Sequence, residues 1–295
     1  MPIDASIRSL VASADVELVA TGFQFTEGPA WHSDGYLLFS DIPANCIVKW
    51  TPPDRVETFR ERSGTEDCKL RLCGSNGLTF DRQGCLLVCE HGNRRLTRTE
   101  HDGRVVVVAD RYEGKRLNSP NDVVTRSDGT IYFTDPPFGT TDDERELAFE
   151  GVSRVDPSGT LHLLTQDLGR PNGLALSPDE RTLYVADTLR RQYRAFDVRD
   201  DGSLGDGSVL IDLNVPGEWW PDGMKVDTQG TIYGTGPGGI CVMAPDGRHL
   251  GTIRPPEQPA NCGFGGPDNR TLFMTARTSV YRVELTVSGV RVHPG

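Results

Sequence analysis

The sequence predicts an all-β protein: a six-bladed β-propeller of four-stranded antiparallel blades, one domain over residues 1–295. Two observations lead there. One phrase recurs six times: a small polar residue, a short apolar run, a Gly- or Asp-containing turn, and a second apolar run. The copies start at Glu27, Asn76, Asn121, Asn172, Asp222 and Asn261, 39 to 51 residues apart. A period of about 40–50 residues with several strands per copy is a propeller signature. The composition agrees, since 33 glycines and 20 prolines beside a 36% hydrophobic fraction suit tight turns better than long helices. An isolated blade cannot bury both faces, so the copies read as one closed domain.

The first 14 residues read as loose or as a short helix. The segment Val16-Glu-Leu-Val-Ala-Thr-Gly22 reads as a strand that pairs with the last blade and closes the ring, removing exposed sheet edges. Each copy then opens with a hairpin. Its turns are legible at Asp81-Arg-Gln-Gly84, Ser127-Asp-Gly-Thr130, Ser177-Pro-Asp-Glu180 and Asp227-Thr-Gln-Gly230, where Asp and Gly accept the positive φ of tight turns. A second strand pair follows, as in Arg95–Val108, Gly151–Leu164 and Gly239–Leu250. Inner runs such as Leu183-Tyr-Val-Ala186 are apolar throughout, as expected of strands covered on both faces. Three connections, 61–75, 136–150 and 214–221, exceed ordinary length and are candidates to shape a pocket mouth.

Charge narrows the partners. With 31 basic and 42 acidic residues the net charge is −11, which repels nucleic acid and anionic membranes and is compatible with cation binding. No stretch reaches the roughly 20 apolar residues of a membrane span, and Met1–Leu18 lacks a secretory pattern. The seven cysteines have no framework spacing and read as reduced, in a cytoplasmic protein. Cys68, Cys73, Cys85 and Cys89 superficially resemble a zinc set, but Cys85 and Cys89 fall on apolar inner runs.

Rotation about a propeller axis brings equivalent positions together, and the equivalent position here holds Glu27, Asn76, Asn121, Asn172, Asp222 and Asn261. Glu27, Asn121, Asn172 and Asp222 supply four hard oxygen donors. That set suits one divalent cation, Ca²⁺ foremost, with Zn²⁺, Mg²⁺ or Mn²⁺ as competitors. Singly, Asn-Gly and Asp-Gly are ordinary turn dipeptides; their joint occurrence at one repeat phase favours a site. Pro120, Pro171 and Pro221 precede three of these residues and restrict their direction. Asp41, Glu90, Asp135 and Asp187 close the second strands at the same end, and the simpler reading is that they bond backbone amides and pin loops. Asn76, Asn121 and His91 are candidate substrate contacts. Gly234-Thr-Gly-Pro-Gly-Gly239 matches a dinucleotide motif by letter, but a strand follows instead of a helix. No serine elbow or HExxH pattern occurs.

Taken in order, Phe25-Thr-Glu27-Gly-Pro, Ser119-Pro-Asn121-Asp, Arg170-Pro-Asn172-Gly-Leu and Pro221-Asp222-Gly-Met resemble the gluconolactonase/SMP-30/regucalcin family. Tyr132-Phe-Thr-Asp-Pro-Pro-Phe-Gly139 resembles its bacterial gluconolactonase branch. The resemblance spans about residues 15–290. It implies a six-bladed propeller with one divalent cation at the channel mouth and Glu27, Asn172 and Asp222 as ligands. It also implies Asn121 as ligand or substrate contact, and Asp222 as general base. Animal members carry Arg two residues before the position of Asn121; here it is Ser119, so their sugar contacts do not transfer. The expected activity is metal-dependent opening of a sugar lactone. The alternatives are hydrolysis of phosphotriesters or other esters, and a non-catalytic binding module with structural Ca²⁺. Sequence leaves the oligomeric state open.

Overall fold

The computed structural model describes residues 2–291 except Ala14, Cys68, Pro216 and Glu218. Six four-stranded antiparallel sheets form the expected propeller. Blade 1 comprises Thr26–His32, Tyr36–Asp41, Cys46–Thr51 and Arg55–Glu61. Blade 2 comprises Ser75–Phe80, Leu86–Glu90, Arg95–Thr99 and Val105–Ala109. Blade 3 runs through Val123–Thr125, Ile131–Asp135, Gly151–Val155 and Leu161–Thr165, and blade 4 through Pro171–Leu176, Thr182–Asp187, Gln192–Val198 and Leu204–Asp212. Blade 5 is Met224–Val226, Ile232–Gly236, Gly239–Met243 and His249–Ile253. Blade 6 takes Asn261–Gly265, Thr271–Ala276 and Ser279–Glu284, and borrows Glu17–Thr21 as its outermost strand. That strand pairs antiparallel with Ser279–Glu284, so the ring closes as the sequence suggested. A short 3-10 helix, Ala5–Leu10, buries Ile7 against the core shared by blades 5 and 6.

Among the described residues the hydrophobic core is divided into six clusters, one at each blade interface. Blade 1 presents Leu38 and Ile47 to Leu78 and Val88 of blade 2. Cys89 and Leu96 of blade 2 meet Val123 and Phe133 of blade 3. Tyr132 meets Phe196, Tyr193 meets Met224, Tyr233 meets Leu272, and Phe273 meets Trp50. Second strands such as Leu86–Glu90 and Thr271–Ala276 are buried at every position. Each packs one neighbour on each face, which is why alternation vanishes from these runs.

Turn chemistry also matches. Gly84, Gly129, Gly230 and even Glu180 have positive φ, between +57° and +92°. Asp81 and Asp227 each use Oδ1 to accept two backbone N–H groups across their turns. The Gly-rich run 234–239 is the tip of a hairpin between two blade 5 strands, not a nucleotide loop. One expectation fails. Cys46, Cys85, Cys89, Cys241 and Cys262 are free thiols, but Cys73 is disulfide-bonded, so the cysteines are not all reduced. Cys73 lies in the connection between blades 1 and 2, off the inner strands whose packing absorbs Cys89, Cys241 and Cys262. No described helix is long and apolar enough to cross a membrane.

Candidate active site at the channel mouth

Glu27, Asn76, Asn121, Asn172, Asp222 and Asn261 all stand at or just before the start of their blade's innermost strand. Five of them are buried, and Asp222 is half-buried. The pairing ladder shifts register beside the first residues of these strands in blades 1, 2 and 4, between Glu27 and Ala30, Ser75 and Leu78, and Pro171 and Leu174. Such bulges re-aim side chains, here at one mouth of the axial channel.

The glycines that follow have a purpose other than turning. Gly77, Gly173 and Gly223 have no positive φ. A Cβ on Gly77 would lie 2.6 Å from the Asn121 carbonyl oxygen, and one on Gly173 would lie 2.2 Å from that of Asp222. A Cβ on Gly223 would sit 1.9 Å from Asn261 Oδ1. Each glycine lets the next blade's axial residue approach. In the gap Gly77 N–H donates to Asn121 O at 2.8 Å. The Asn-Gly and Asp-Gly dipeptides are therefore packing elements of the axis.

Second-strand hydroxyls tie the ring further. Ser40 donates to Asn76 O at 2.7 Å, and Thr134 to Asn172 O at 2.7 Å, each reaching the next blade. Asp41 accepts from Gln24 and Phe25 N–H, Asp135 from Asn118 and Ser119 N–H, and Asp187 from Gly169 N–H. Each carboxylate thus holds the backbone two to three residues before Glu27, Asn121 or Asn172. Glu90 differs, accepting from Asn93, Arg95 and Thr97 side chains. Asp41→Ala is expected to leave two backbone donors unpaired and cost about 2 kcal/mol. Asp41→Asn keeps an acceptor and should lose less. Thermal unfolding of both variants checks this; equal midpoints would contradict it.

At the centre, Glu27 Oε2 accepts from Gly28 N–H at 2.8 Å and from the Asn261 amide at 2.9 Å. Burial pushes the Glu27 carboxyl up to about 7, and the Asp122 charge adds to this. Burial, then the charges of Glu27 and Asp122, lifts Asp222 well above the carboxylate range, against a hydrogen bond from Asn172. The Asn172 amide nitrogen also donates to Thr188 Oγ1 at 3.2 Å, so its Oδ1 is the atom left to face a ligand. Asn76 directs its amide nitrogen to His91 Nε2 at 3.2 Å.

His91 is buried and accepts from Asn76, while its Nδ1 donates to Leu72 O at 3.3 Å. Burial lowers it to about 4, so it is neutral at physiological pH. Gly139 packs over it, since a Cβ there would fall 2.5 Å from His91 Cβ. The connections 61–75 and 136–150 therefore meet on His91. Among the described residues of 214–221, Trp219 is buried and Arg191 lies over the rings of Trp219 and Trp220.

Sequence reasoning missed Asp122. It is 2% exposed, its Oδ2 has no hydrogen-bond partner among the described residues, and the Lys225 ammonium is 3.9 Å away. Asp122 stands where Gly28, Gly77, Gly173 and Gly223 stand in other blades, which was the available signal. Among the described residues no group of three or more His, Cys, Asp and Glu side chains has a ligating arrangement. The proposed donors comprise two carboxylates and two amides, so they form no such group. The donor chemistry fits a hard cation: Glu27 and Asp222 repel each other and the buried Asp122 charge nearby, and Lys225 offsets both Glu27 and Asp122.

The fold is a six-bladed β-propeller with six equivalent polar residues at the starts of its innermost strands. The chain belongs to the SMP-30/gluconolactonase/LRE-like family, whose model matches residues 25–278. It is 40% identical to a gluconolactonase of Zymomonas mobilis, over 95% of this chain and 84% of that one. It is 30% identical to a pentonolactonase of Haloferax volcanii, over 88% of this chain and 83% of that one. Among solved structures, a gluconolactonase of Xanthomonas campestris superposes with a TM-score of 0.84 at 35% identity, covering 95% of this chain and 92% of that one.

Proposed function

We propose that this lactonase opens sugar lactones with a divalent cation held by Glu27, Asn121, Asn172 and Asp222, and with Asp222 as general base. The lactonase class rests on the family and on relatives named for gluconolactone and pentonolactone hydrolysis. The site assignment is supported by the equivalent placement of the four residues at the starts of the innermost strands of four blades, with Glu27 in hydrogen-bond contact with the sixth blade's Asn261. A bound cation supplies Lewis-acid polarisation of the lactone carbonyl and charge stabilisation as the ring opens. Asp222 takes the proton of the attacking water as general base. Asn172 holds Asp222 in place through its amide nitrogen. Asn76 and Asn121 bind sugar hydroxyls, and neutral His91 fixes the Asn76 amide. A panel of sugar lactones and phosphotriesters, assayed after chelation and readdition of single cations, tests this. Full turnover in chelator would remove the cation, and preference for phosphotriesters would remove the substrate class.

The proton on Glu27 has a consequence for pH. Its carboxyl titrates near 7 in the cation-free fold against an ordinary 4.5, so the folded chain binds a proton that the unfolded chain releases. Cation-free stability is expected to fall as pH rises from about 4.5 through 7. Cation affinity should fall as pH drops below about 7, by up to about tenfold per unit for one displaced proton. Calorimetry in buffers of different ionisation enthalpy reads the released proton; cation binding that releases none would contradict it.

A further inference from the structure

We infer that the opposite end of the axial channel is a second small-molecule site, built for an anion with an aromatic or aliphatic body. A cavity of about 530 Å³ opens there, within the range of ligand pockets. None of the six axial mouth residues lines it. Its ring is formed three positions further along each innermost strand, by Ala30, Thr79, Val124, Ala175, Lys225 and Phe264. At about 3.3 Å per strand residue, the cavity begins roughly 10 Å from the mouth that holds Glu27 and Asp222. Lys225 is the one residue it shares with the electrostatics of the proposed catalytic site, and this inference does not depend on that reading.

The ring's composition sets the ligand chemistry. Five of the six positions carry no charge, and Trp31 and Phe80 extend the wall with aromatic surface. The sixth is Lys225, whose side chain is 27% exposed. Its ammonium donates to Met224 O at 2.9 Å and stands 3.9 Å from Asp122 Oδ2 on the mouth side. An ammonium has three donors and Met224 O takes one of them, so a donor remains for the cavity. A carboxylate on an apolar body satisfies it and lets that body cover the wall. A neutral body of the same shape leaves this donor unused, and a cation meets Lys225 directly. Arg82 and Arg291 at the outer end favour the same sign, although Asp34 and Glu180 also line the opening.

The test is calorimetric titration of the cation-loaded protein with 2-naphthoate and its neutral isostere 2-naphthamide. One 2-naphthoate per chain is expected, bound about tenfold tighter than the amide, as suits a hydrogen bond to a charged group. Lys225→Met should bring 2-naphthoate down to the amide's affinity and leave amide binding unchanged, which a damaged fold would not do. Val124→Trp should abolish both while sugar-lactone turnover continues. Equal affinity of the two probes for the wild-type protein would overturn the proposal, as would absence of binding. So would binding that survives Val124→Trp, or that competes with the lactone at the other mouth. Binding that appears only after deletion of residues 292–295 would assign the cavity to the chain's own end instead.

Discussion

Asp222→Asn is expected to lower kcat/KM for sugar lactones by about a thousandfold or more, since positioned general bases contribute roughly 10²–10⁴ in rate. The change removes the Asp222 charge, which the Glu27 and Asp122 charges repel. It therefore relieves repulsion in the cation-free protein, whose unfolding midpoint at neutral pH should stay level or rise. Cation affinity should drop together with activity, because a carboxylate donor becomes an amide. Loss of activity with retained stability separates a chemical role from a structural one. A variant keeping a tenth of wild-type turnover would contradict the role of Asp222.

Gly173→Ala should be strongly damaging although it adds a single methyl group. Its Cβ would meet Asp222 O at 2.2 Å, Gly223 Cα at 2.6 Å and Asp222 C at 3.0 Å. All three atoms are backbone, so no side chain can rotate away, and blades 4 and 5 must part at the axis. Overpacking of this kind costs about 3 kcal/mol, or roughly 6 °C or more in unfolding midpoint. Activity should fall too, since the displaced backbone carries Asp222. Gly103→Ala is the control. Gly103 has φ +84° with open space around it, so alanine there meets backbone strain alone, about 1 kcal/mol, and turnover should persist. Equal midpoints for the two variants would contradict the axial packing argument.

What the sequence revealed follows from how local each signal is. The hairpin turns were legible because positive φ at Gly84, Gly129 and Gly230 is a demand of the turn itself. The closing strand was legible because the last copy lacked a partner. The pinning acids were legible as well: Asp41, Asp135 and Asp187 do bond backbone amides beside their own strands. The glycines after the axial residues were misleading. Turns and close approach demand the same residue, and only the neighbouring blade distinguishes them. Asp122 and Lys225 escaped notice because each is an exception within its ring, visible only when six copies are compared at one depth. His91 was expected at the rim, yet it is buried beneath Gly139 and Leu72. Long connections fold over it, and their course has no periodicity to read.

The central claim, that distant segments meet around one cation, is tested most directly by an anomalous-difference map from crystals of active protein grown with Mn²⁺. One peak is predicted, within coordination distance of the side-chain oxygens of Glu27, Asn172 and Asp222. A peak elsewhere, or none in crystals whose dissolved protein still needs the cation for turnover, would contradict the account.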